Sequence, residues 1–269
     1  MLDKSEISRM VRACVENLSP ESCEEKQWIV AANWKMNMTA AETEHFLDEF
    51  LKGKKYANIR TIIFPPFPYL YLFAKRLRYE KVAFGAQDVS FQDKGAYTGE
   101  VSGTMLRDLC CSYAICGHSE RRSYHGESSE EVAKKAKAAL KVQLTPVICI
   151  GETQDERNQG RYREVLSAQI EAVKAALGKD IEKTIFAYEP VWAIGTGVIP
   201  TMEQVAETHG FIISCIGSGK VPVLYGGSAN EKNVTELSKV PGVSGFLIGG
   251  AGLKAESFGK IHELLGEVR

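Results

Sequence analysis

The stretch from Thr184 to Gly197, Thr-Ile-Phe-Ala-Tyr-Glu-Pro-Val-Trp-Ala-Ile-Gly-Thr-Gly, contains a short apolar run that ends in a carboxylate and a proline. Pro190 fixes its own φ and lacks a backbone N–H, so the preceding strand has to stop there. Gly195 and Gly197 give the following loop unusual backbone angles and leave its N–H groups bare for an anion. The pattern predicts a buried strand with Glu189 at its end and a lid over an anion. The plainer alternative is an ordinary strand end with a surface glutamate.

Two further segments place polar groups directly after apolar runs. Residues 33–37 (Asn-Trp-Lys-Met-Asn) follow the run 28–32, and residues 116–122 (Cys-Gly-His-Ser-Glu-Arg-Arg) follow the run 112–115. Catalytic residues of α/β barrels lie at the carboxyl ends of the strands, so these segments are candidates for a shared site.

Apolar runs rich in Val, Ile, Phe and Tyr alternate with helical patterns from residue 28 onward. The predicted strands are 28–32, 59–64, 82–85, 112–116, 145–150, 184–188, 221–225 and 245–248. The predicted helices are 39–51, 69–78, 129–141, 161–177, 201–216, 231–238 and 254–265. Such strands are typical of a parallel sheet buried on both faces, and the alternation indicates right-handed βαβ units. Spacing alone leaves open whether the sheet is open or a closed barrel.

The strand-end segments resemble the motifs of the triosephosphate isomerase family, in that family's order, from about Trp28 to the C-terminus. The resemblance includes residues 225–228 (Tyr-Gly-Gly-Ser) and 247–251 (Leu-Ile-Gly-Gly-Ala). It implies an α/β fold, a single (β/α)8 TIM barrel over residues 27–269, whose length is usual for such a domain. It also implies an intramolecular aldose–ketose isomerase of glycolysis and gluconeogenesis. That enzyme interconverts dihydroxyacetone phosphate and D-glyceraldehyde 3-phosphate through an enediolate.

Residues 1–26 fall outside the resemblance and form a predicted N-terminal extension. Apolar residues recur there at helical spacing between charges, which predicts one amphipathic helix ended by Ser19-Pro20. The apolar positions are Ile7, Met10, Val11, Cys14, Val15 and Leu18. We expect the helix to pack on the outside of the barrel or to dock loosely. A regulatory or partner role stays open.

Composition excludes several classes of partner. The formal net charge of −1 gives no general attraction to nucleic acid or an anionic membrane. No apolar run approaches the roughly 18 residues of a membrane helix, and the charged N-terminus lacks a signal-peptide core. The seven cysteines are odd in number and have no zinc-site spacing, which favours a reducing cytoplasm.

The resemblance assigns the proton transfer to residues at the strand ends. It makes Glu189 the base and His118 the electrophile, while Lys35 stabilises charge and Asn33 orients the carbonyl. Glu120 is expected to pair with Lys35 or to help shuffle protons. The family's use of a neutral imidazole and of a lid that desolvates the base is also implied by the resemblance. A lone histidine or lysine is more often structural or solvated, so the motif context carries these assignments.

Phosphate is expected to be bound by backbone donors in glycine-rich loops. The family's positions correspond to Gly195 in the lid, to Ser228, and to Gly249 and Gly250 after the last strand. Glycine-rich loops alone are weak signals. The chain has no Walker lysine pattern and no Gly-x-Gly-x-x-Gly after its first strand, so we predict no cofactor and no metal.

Residues 87–100 resemble the family's long third loop, which inserts into a neighbouring subunit. The match rests on residues 95–100 (Gly-Ala-Tyr-Thr-Gly-Glu) and predicts a homodimer with Thr98 and Glu100 in the interface. The threonine is expected near the partner subunit's Lys35 and the partner subunit's His118. The alternative is an exposed surface loop.

The chain departs from the family pattern at three places. The closing hinge of the lid is Val198-Ile199-Pro200 where Lys-Thr-Ala is often found, and Pro200 narrows the hinge angles. Asp88 stands where Asn is common, and Gly252 where Ser is common. None of these changes removes a catalytic group.

Two other functions remain as alternatives to an isomerase. One is another phosphate-binding barrel enzyme, such as a synthase or an aldolase. An aldolase would need a desolvated Schiff-base lysine deep in a strand, whereas Lys35 follows its strand beside Asn33. A non-catalytic binding protein on the same fold should have lost Lys35, His118 or Glu189, and all three are present.

Overall fold

A computed structural model describes residues 27–193 and 200–268. Within them, eight parallel strands close into a barrel in chain order, and β1 pairs with both β2 and β8. The strands are β1 Trp28–Asn33, β2 Ile59–Phe64, β3 Ala83–Ala86, β4 Tyr113–Cys116, β5 Thr145–Ile150, β6 Ile185–Tyr188, β7 Val223–Tyr225 and β8 Gly245–Ile248. The predicted strands are confirmed, and the sheet is a closed TIM barrel.

Helices cover the outside of the barrel. The α-helices of the described residues are α1 Ala40–Lys52, α2 Leu70–Arg76, α3 Gly103–Asp108, α4 Ser119–His125, α5 Ser129–Lys141, α6 Gln154–Asn158, α7 Tyr162–Leu177, α8 Met202–Ile216, α9 Val234–Ser238 and α10 Ala255–Gly266. Short 3₁₀ segments are Phe67–Tyr69, Gly178–Lys183, Val191–Ala193 and Gly250–Leu253. None of these helices is long and apolar enough to cross a membrane.

The five longest helices (α1, α5, α7, α8 and α10) lie within one residue of their predicted bounds. Two of these predictions began at Thr39 and Thr201, which are N-caps whose hydroxyls accept an N–H from the first turn. The predicted helices 69–78 and 231–238 are shorter in the structure, as α2 and α9. No helix was predicted for α3, α4 and α6, whose five to seven residues show little of a 3.6-residue period. The helix predicted within residues 1–26 lies outside the described residues, and the division at residue 27 stays a prediction.

Alternate strand residues face the barrel interior, because successive side chains on a strand point to opposite faces. The buried interior cluster comprises Ile29, Ala31, Ile62, Phe64, Tyr113, Ile115, Val147, Cys149, Ile185, Ala187, Leu224 and Leu247. The other set packs against the helices in a second, larger apolar layer. This alternation continues past the strand ends and decides which polar residues reach the mouth of the barrel.

Candidate active site

A cavity of about 430 Å³ opens at the carboxyl ends of the strands. It is bordered by residues that follow β1, β4, β6, β7 and β8. Of the predicted site residues, those that line it are Asn33, Lys35, His118, Glu189, Ser228, Gly249 and Gly250. Residues that are distant in the chain, such as Asn33 and Gly250, are therefore neighbours at the mouth of the barrel.

Two of these residues point into the cavity because side chains alternate between the two faces of a strand. Asn33 lies two residues after the interior residue Ala31, and Glu189 lies two residues after the interior residue Ala187. Both side chains are buried, with exposed fractions of 5% and 2%. Strand parity therefore turns a polar group inward at each strand end, where solvent and substrate can reach the barrel.

His118 is placed at the cavity by a turn of the backbone and the start of a helix. Gly117 has φ +72° and turns the chain after β4, and a Cβ there would lie 2.4 Å from the side chain of Val132. His118 then caps α4, and its Nδ1 accepts a hydrogen bond from the Glu120 N–H at 3.3 Å. Because an accepting ring nitrogen carries no proton, the ring proton is on Nε2, which faces Glu189. The helix N-terminus also disfavours a second proton on the ring.

The Glu189 carboxylate is held by two donors. Its Oε2 accepts from the Ser119 N–H at 2.8 Å, and its Oε1 lies 2.9 Å from His118 Nε2. Burial raises the pKa of Glu189, but the imidazole and the Ser119 N–H outweigh burial and hold that pKa below its usual value. Burial lowers the pKa of His118, and the adjacent carboxylate more than reverses this, so that pKa is raised.

The two groups therefore satisfy each other when no substrate separates them. A substrate that enters between them has to break the 2.9 Å contact. If the carboxylate moves away from its donors, burial should raise the pKa of Glu189, because no contact then opposes it. The imidazole would lose the anion that raises its pKa, so its neutral form should be favoured.

Lys35 is held in an unusual backbone conformation. Its φ is +52°, a region that residues other than glycine rarely adopt. Its N–H donates to Asn33 Oδ1 at 3.0 Å, and its carbonyl accepts from Gln87 Nε2 at 2.9 Å. The ammonium Nζ lies 2.5 Å from Glu120 Oε1. The carboxylate thus holds the ammonium beside the cavity, where an anionic ligand can compete for it.

The loop after β7 packs directly on the candidate base. The Gly226 N–H donates to the Tyr188 carbonyl at 2.7 Å, and a Cβ on Gly226 would lie 3.0 Å from the side chain of Glu189. Ser228 follows at the exposed rim of the cavity. The loop that carries Ser228 is therefore packed against the Glu189 side chain.

The loop after β8 forms the facing rim. Gly249 and Gly250 line the cavity, and Trp34 Nε1 donates to the Gly252 carbonyl at 2.9 Å, which anchors the short turn that follows β8. The departure from serine at Gly252 leaves room for Ala32, since a Cβ there would lie 2.8 Å from the Ala32 Cβ. Gly195, the predicted phosphate donor of the lid, lies outside the described residues.

A buried carboxylate that the sequence analysis missed holds the first turn of the lid. Glu152 Oε1 accepts from Tyr188 OH at 3.0 Å, Trp192 Nε1 at 2.8 Å and Arg157 Nη1 at 2.8 Å. The Arg157 guanidinium also lies 5.0 Å from the centre of the Trp192 ring. The available signal was the polar Gly-Glu-Thr segment directly after a predicted strand.

Thr98 and Glu100 are exposed and do not line the cavity of this chain. They lie on the loop between β3 and α3, whose base is closed by the Ser90 N–H and the Val101 carbonyl at 2.9 Å.

At the start of that loop, the charge of Asp88, which stands where Asn is common, is compensated. Its carboxylate pairs with Lys135 at 2.6 Å and also with Arg121. Within the described parts of the chain, no group of three His, Cys, Asp or Glu side chains could hold a metal ion.

The chain is similar to known proteins over most of its length. The family model for triosephosphate isomerase matches residues 28–265. Curated relatives named triosephosphate isomerase include one from Dictyoglomus thermophilum, 43% identical over 87% of this chain and 97% of that protein. Others are from Aquifex aeolicus, 42% identical over 87% of this chain and 97% of that protein, and Xanthomonas campestris pv. campestris, 43% identical over 86% of this chain and 94% of that protein. The chain therefore belongs to the triosephosphate isomerase family.

Proposed function

We propose that this chain interconverts dihydroxyacetone phosphate and D-glyceraldehyde 3-phosphate, with Glu189 as base and His118 as electrophile. The supporting observation is the buried pair of these two side chains, 2.9 Å apart, in a cavity that Lys35 also lines. This places a strong acceptor, a neutral donor and an ammonium around one ligand-sized space.

The reaction moves one proton between adjacent carbons. Glu189 takes the proton from the carbon next to the carbonyl while His118 Nε2–H donates to the carbonyl oxygen, on which the enediolate charge develops. The protonated carboxyl then returns its proton to the neighbouring carbon, while the hydroxyl proton of the enediolate passes to the charged oxygen, so that the carbon that carried the hydroxyl becomes the new carbonyl. Asn33 orients the carbonyl, and Lys35 stabilises the developing charge once the ligand draws it from Glu120.

Phosphate is held by backbone donors opposite these side chains. Ser228, Gly249 and Gly250 lie on the two loops that border the cavity, where N–H groups can approach phosphate oxygens closely. Gly195 contributes a further donor when the lid covers the ligand. Closure excludes water, which limits loss of phosphate from the enediolate.

An aldolase role is not favoured. A Schiff-base lysine has to be desolvated to lose its proton, but Lys35 lies beside a carboxylate at 2.5 Å and its side chain is partly exposed. A non-catalytic binding protein on this fold would not need a buried carboxylate such as Glu189 beside His118.

The protein acts as a homodimer in a reducing cytoplasm in this proposal. Met36, next to Lys35, is 95% exposed, and Tyr97 of the β3–α3 loop is 47% exposed, which a second copy would cover. Among the described residues, Cys111, Cys116, Cys149 and Cys215 are free thiols. Shortening the loop around Thr98 should give poorly active monomers, and sedimentation that shows a fully active wild-type monomer would contradict the dimer.

A coupled assay with each triose phosphate tests the activity. We expect turnover in both directions, and exchange of one carbon-bound hydrogen with solvent when the reaction runs in deuterium oxide. Failure of the full-length wild-type protein to interconvert the two substrates would rule out the proposed activity.

A further inference from the structure

The side chain of Gln169, on α7, pairs with both backbone polar groups of Gly151 directly after β5. Its Oε1 accepts from the Gly151 N–H at 2.9 Å, and its Nε2 donates to the Gly151 carbonyl at 2.9 Å. One amide thus satisfies a donor and an acceptor just beyond the end of the β-ladder. The helix layer thereby fixes the position of a residue at the mouth of the barrel.

Gly151 lies in direct contact with the backbone of the candidate base. A Cβ built on Gly151 would lie 1.9 Å from the Glu189 carbonyl oxygen and 3.3 Å from the side chain of Val191. The preceding residue, Ile150, accepts the Glu189 N–H at 2.8 Å. Any movement of Gly151 therefore presses on the peptide that carries the catalytic carboxylate.

The residue after Gly151 holds the start of the lid. Glu152 accepts from Trp192 Nε1 at 2.8 Å and from Tyr188 OH at 3.0 Å. Residues 150–152 therefore support the backbone of Glu189 and the first turn of the lid through separate contacts. Gln169 is the side chain that clamps the middle of this segment.

We propose that Gln169 is a positioning residue for the proton transfer and for lid closure. It does not line the cavity, so it acts only through Gly151. Its amide holds the base at the distance from which the carboxylate can leave His118 and reach the substrate carbon. The inference rests on the proposed function for its effect on turnover but not for its effect on the backbone.

Two substitutions remove the clamp to different degrees. Gln169→Met keeps the length of the side chain and loses both hydrogen bonds, whereas Gln169→Glu keeps an acceptor for the Gly151 N–H and loses the donor. The matched control is Gln154→Met on α6, which lies between β5 and α7, where an exposed amide donates to Asn158 Oδ1 at 2.9 Å. The graded pair keeps the test informative if one variant folds poorly.

We expect Gln169→Met to lower kcat about ten- to a hundredfold, because a misplaced base loses alignment with the reacting carbon. KM should change by less than about threefold, since the phosphate loops are untouched. Release of inorganic phosphate per turnover should rise, because a loose lid lets the enediolate break its C–O bond and expel phosphate with the bonding electrons. Gln169→Glu should lie between wild type and Gln169→Met, and Gln154→Met should match wild type.

Hydrogen exchange of the peptide 186–193 provides a readout that needs no activity. Exchange should be faster in Gln169→Met than in wild type and unchanged in Gln154→Met. Wild-type kcat and phosphate release in Gln169→Met, or unchanged exchange over 186–193, would overturn the inference. An inactive wild-type protein would instead remove the proposed function, while the exchange measurement would still decide whether Gln169 positions this segment.

Discussion

Two buried histidines, one at the mouth of the barrel and one beneath its helices, have pKa values shifted in opposite directions. His118 is 6% exposed and His262 is 3% exposed. Burial lowers both pKa values, but the carboxylate beside His118 raises its pKa above the usual value. The ring nitrogens of His262 contact the Thr61 hydroxyl and the Phe258 carbonyl, and burial lowers the pKa of His262 to about 4.

The difference shows that the partner, rather than the depth of burial, decides the charge of a histidine in this barrel. The layer of helices around the barrel, called the wall below, contains the buried His209 and His262. Their ring nitrogens contact neutral groups, and burial favours the uncharged form of both rings. At the mouth, the partner is the Glu189 carboxylate. In the proposed function the substrate displaces this carboxylate, so we expect the pKa of His118 to fall when a ligand is bound.

Removing the carboxylate should have the largest effect and convert His118 to the behaviour of the wall histidines. Glu189→Gln removes the general base, a loss on the order of 10²–10⁴-fold in turnover. The pKa of His118 should fall, because burial then acts without the opposing anion. Turnover by coupled assay and the imidazole titration by NMR measure the two effects.

The matched variant Glu152→Gln removes a different buried carboxylate that does not contact the imidazole. It should leave the His118 titration near that of wild type. A His118 pKa that is the same in Glu189→Gln and wild type would show that the ion pair does not set it.

Removing the imidazole should have the next largest effect. His118→Gln should lower kcat by roughly 10²–10³-fold with little change in KM, since an oxyanion donor acts mainly in the transition state. His262→Gln should lower stability and leave kcat of the folded enzyme near wild type. A variant of His118 in which only KM rises would contradict the electrophile role.

Low pH should destabilise the folded protein, because protons bind to the buried histidines of the wall more readily after unfolding. Burial also lowers the pKa of His209 to about 4, below the value of about 6.5 in an unfolded chain. As the pH falls, His209 binds a proton in the unfolded state before it does so in the folded state. The contribution of His209 to the free energy of unfolding is therefore complete above about pH 6.5 and is lost as the pH falls toward 4. The loss amounts to about 3 kcal/mol.

The variant His209→Asn should therefore show a shallower fall in the free energy of unfolding between pH 6.5 and pH 4 than wild type. Urea unfolding at several pH values in this range measures the slope. Equal slopes for the two proteins would mean that His209 does not stay neutral in the fold.

A substitution in the closing hinge of the lid should have the smallest effect on turnover. Val198-Ile199-Pro200→Lys-Thr-Ala relaxes a hinge limited by proline and by β-branched side chains. We expect a change in turnover of less than tenfold, about 1.4 kcal/mol, and a shift between ligand binding and release. Identical turnover, inhibitor affinity and phosphate release would show that these residues are neutral variation.

The local order of the chain could be predicted from the sequence. Near-continuous apolar strands and 3.6-residue helical patterns act over a few residues, and all eight strands were placed correctly. The polar segments after three of those strands identified Asn33, His118 and Glu189 as residues of one cavity. Short helices such as α6 were not predicted because five residues show too little periodicity. The contacts of Glu152 and Gln169 were not visible because they join segments that are distant in the chain.

The sequence by itself determined the family, the barrel and the residue types available at each strand end, since motif and periodicity are properties of neighbouring residues. Only the tertiary structure decided that the Glu189 carboxylate rests on His118 and Ser119, that Lys35 is paired with Glu120, and that one amide from α7 clamps Gly151. These contacts join residues that closure of the barrel brings together. Their distances and burial set the charges on which the proposed chemistry depends, and both arise from packing rather than from chain order.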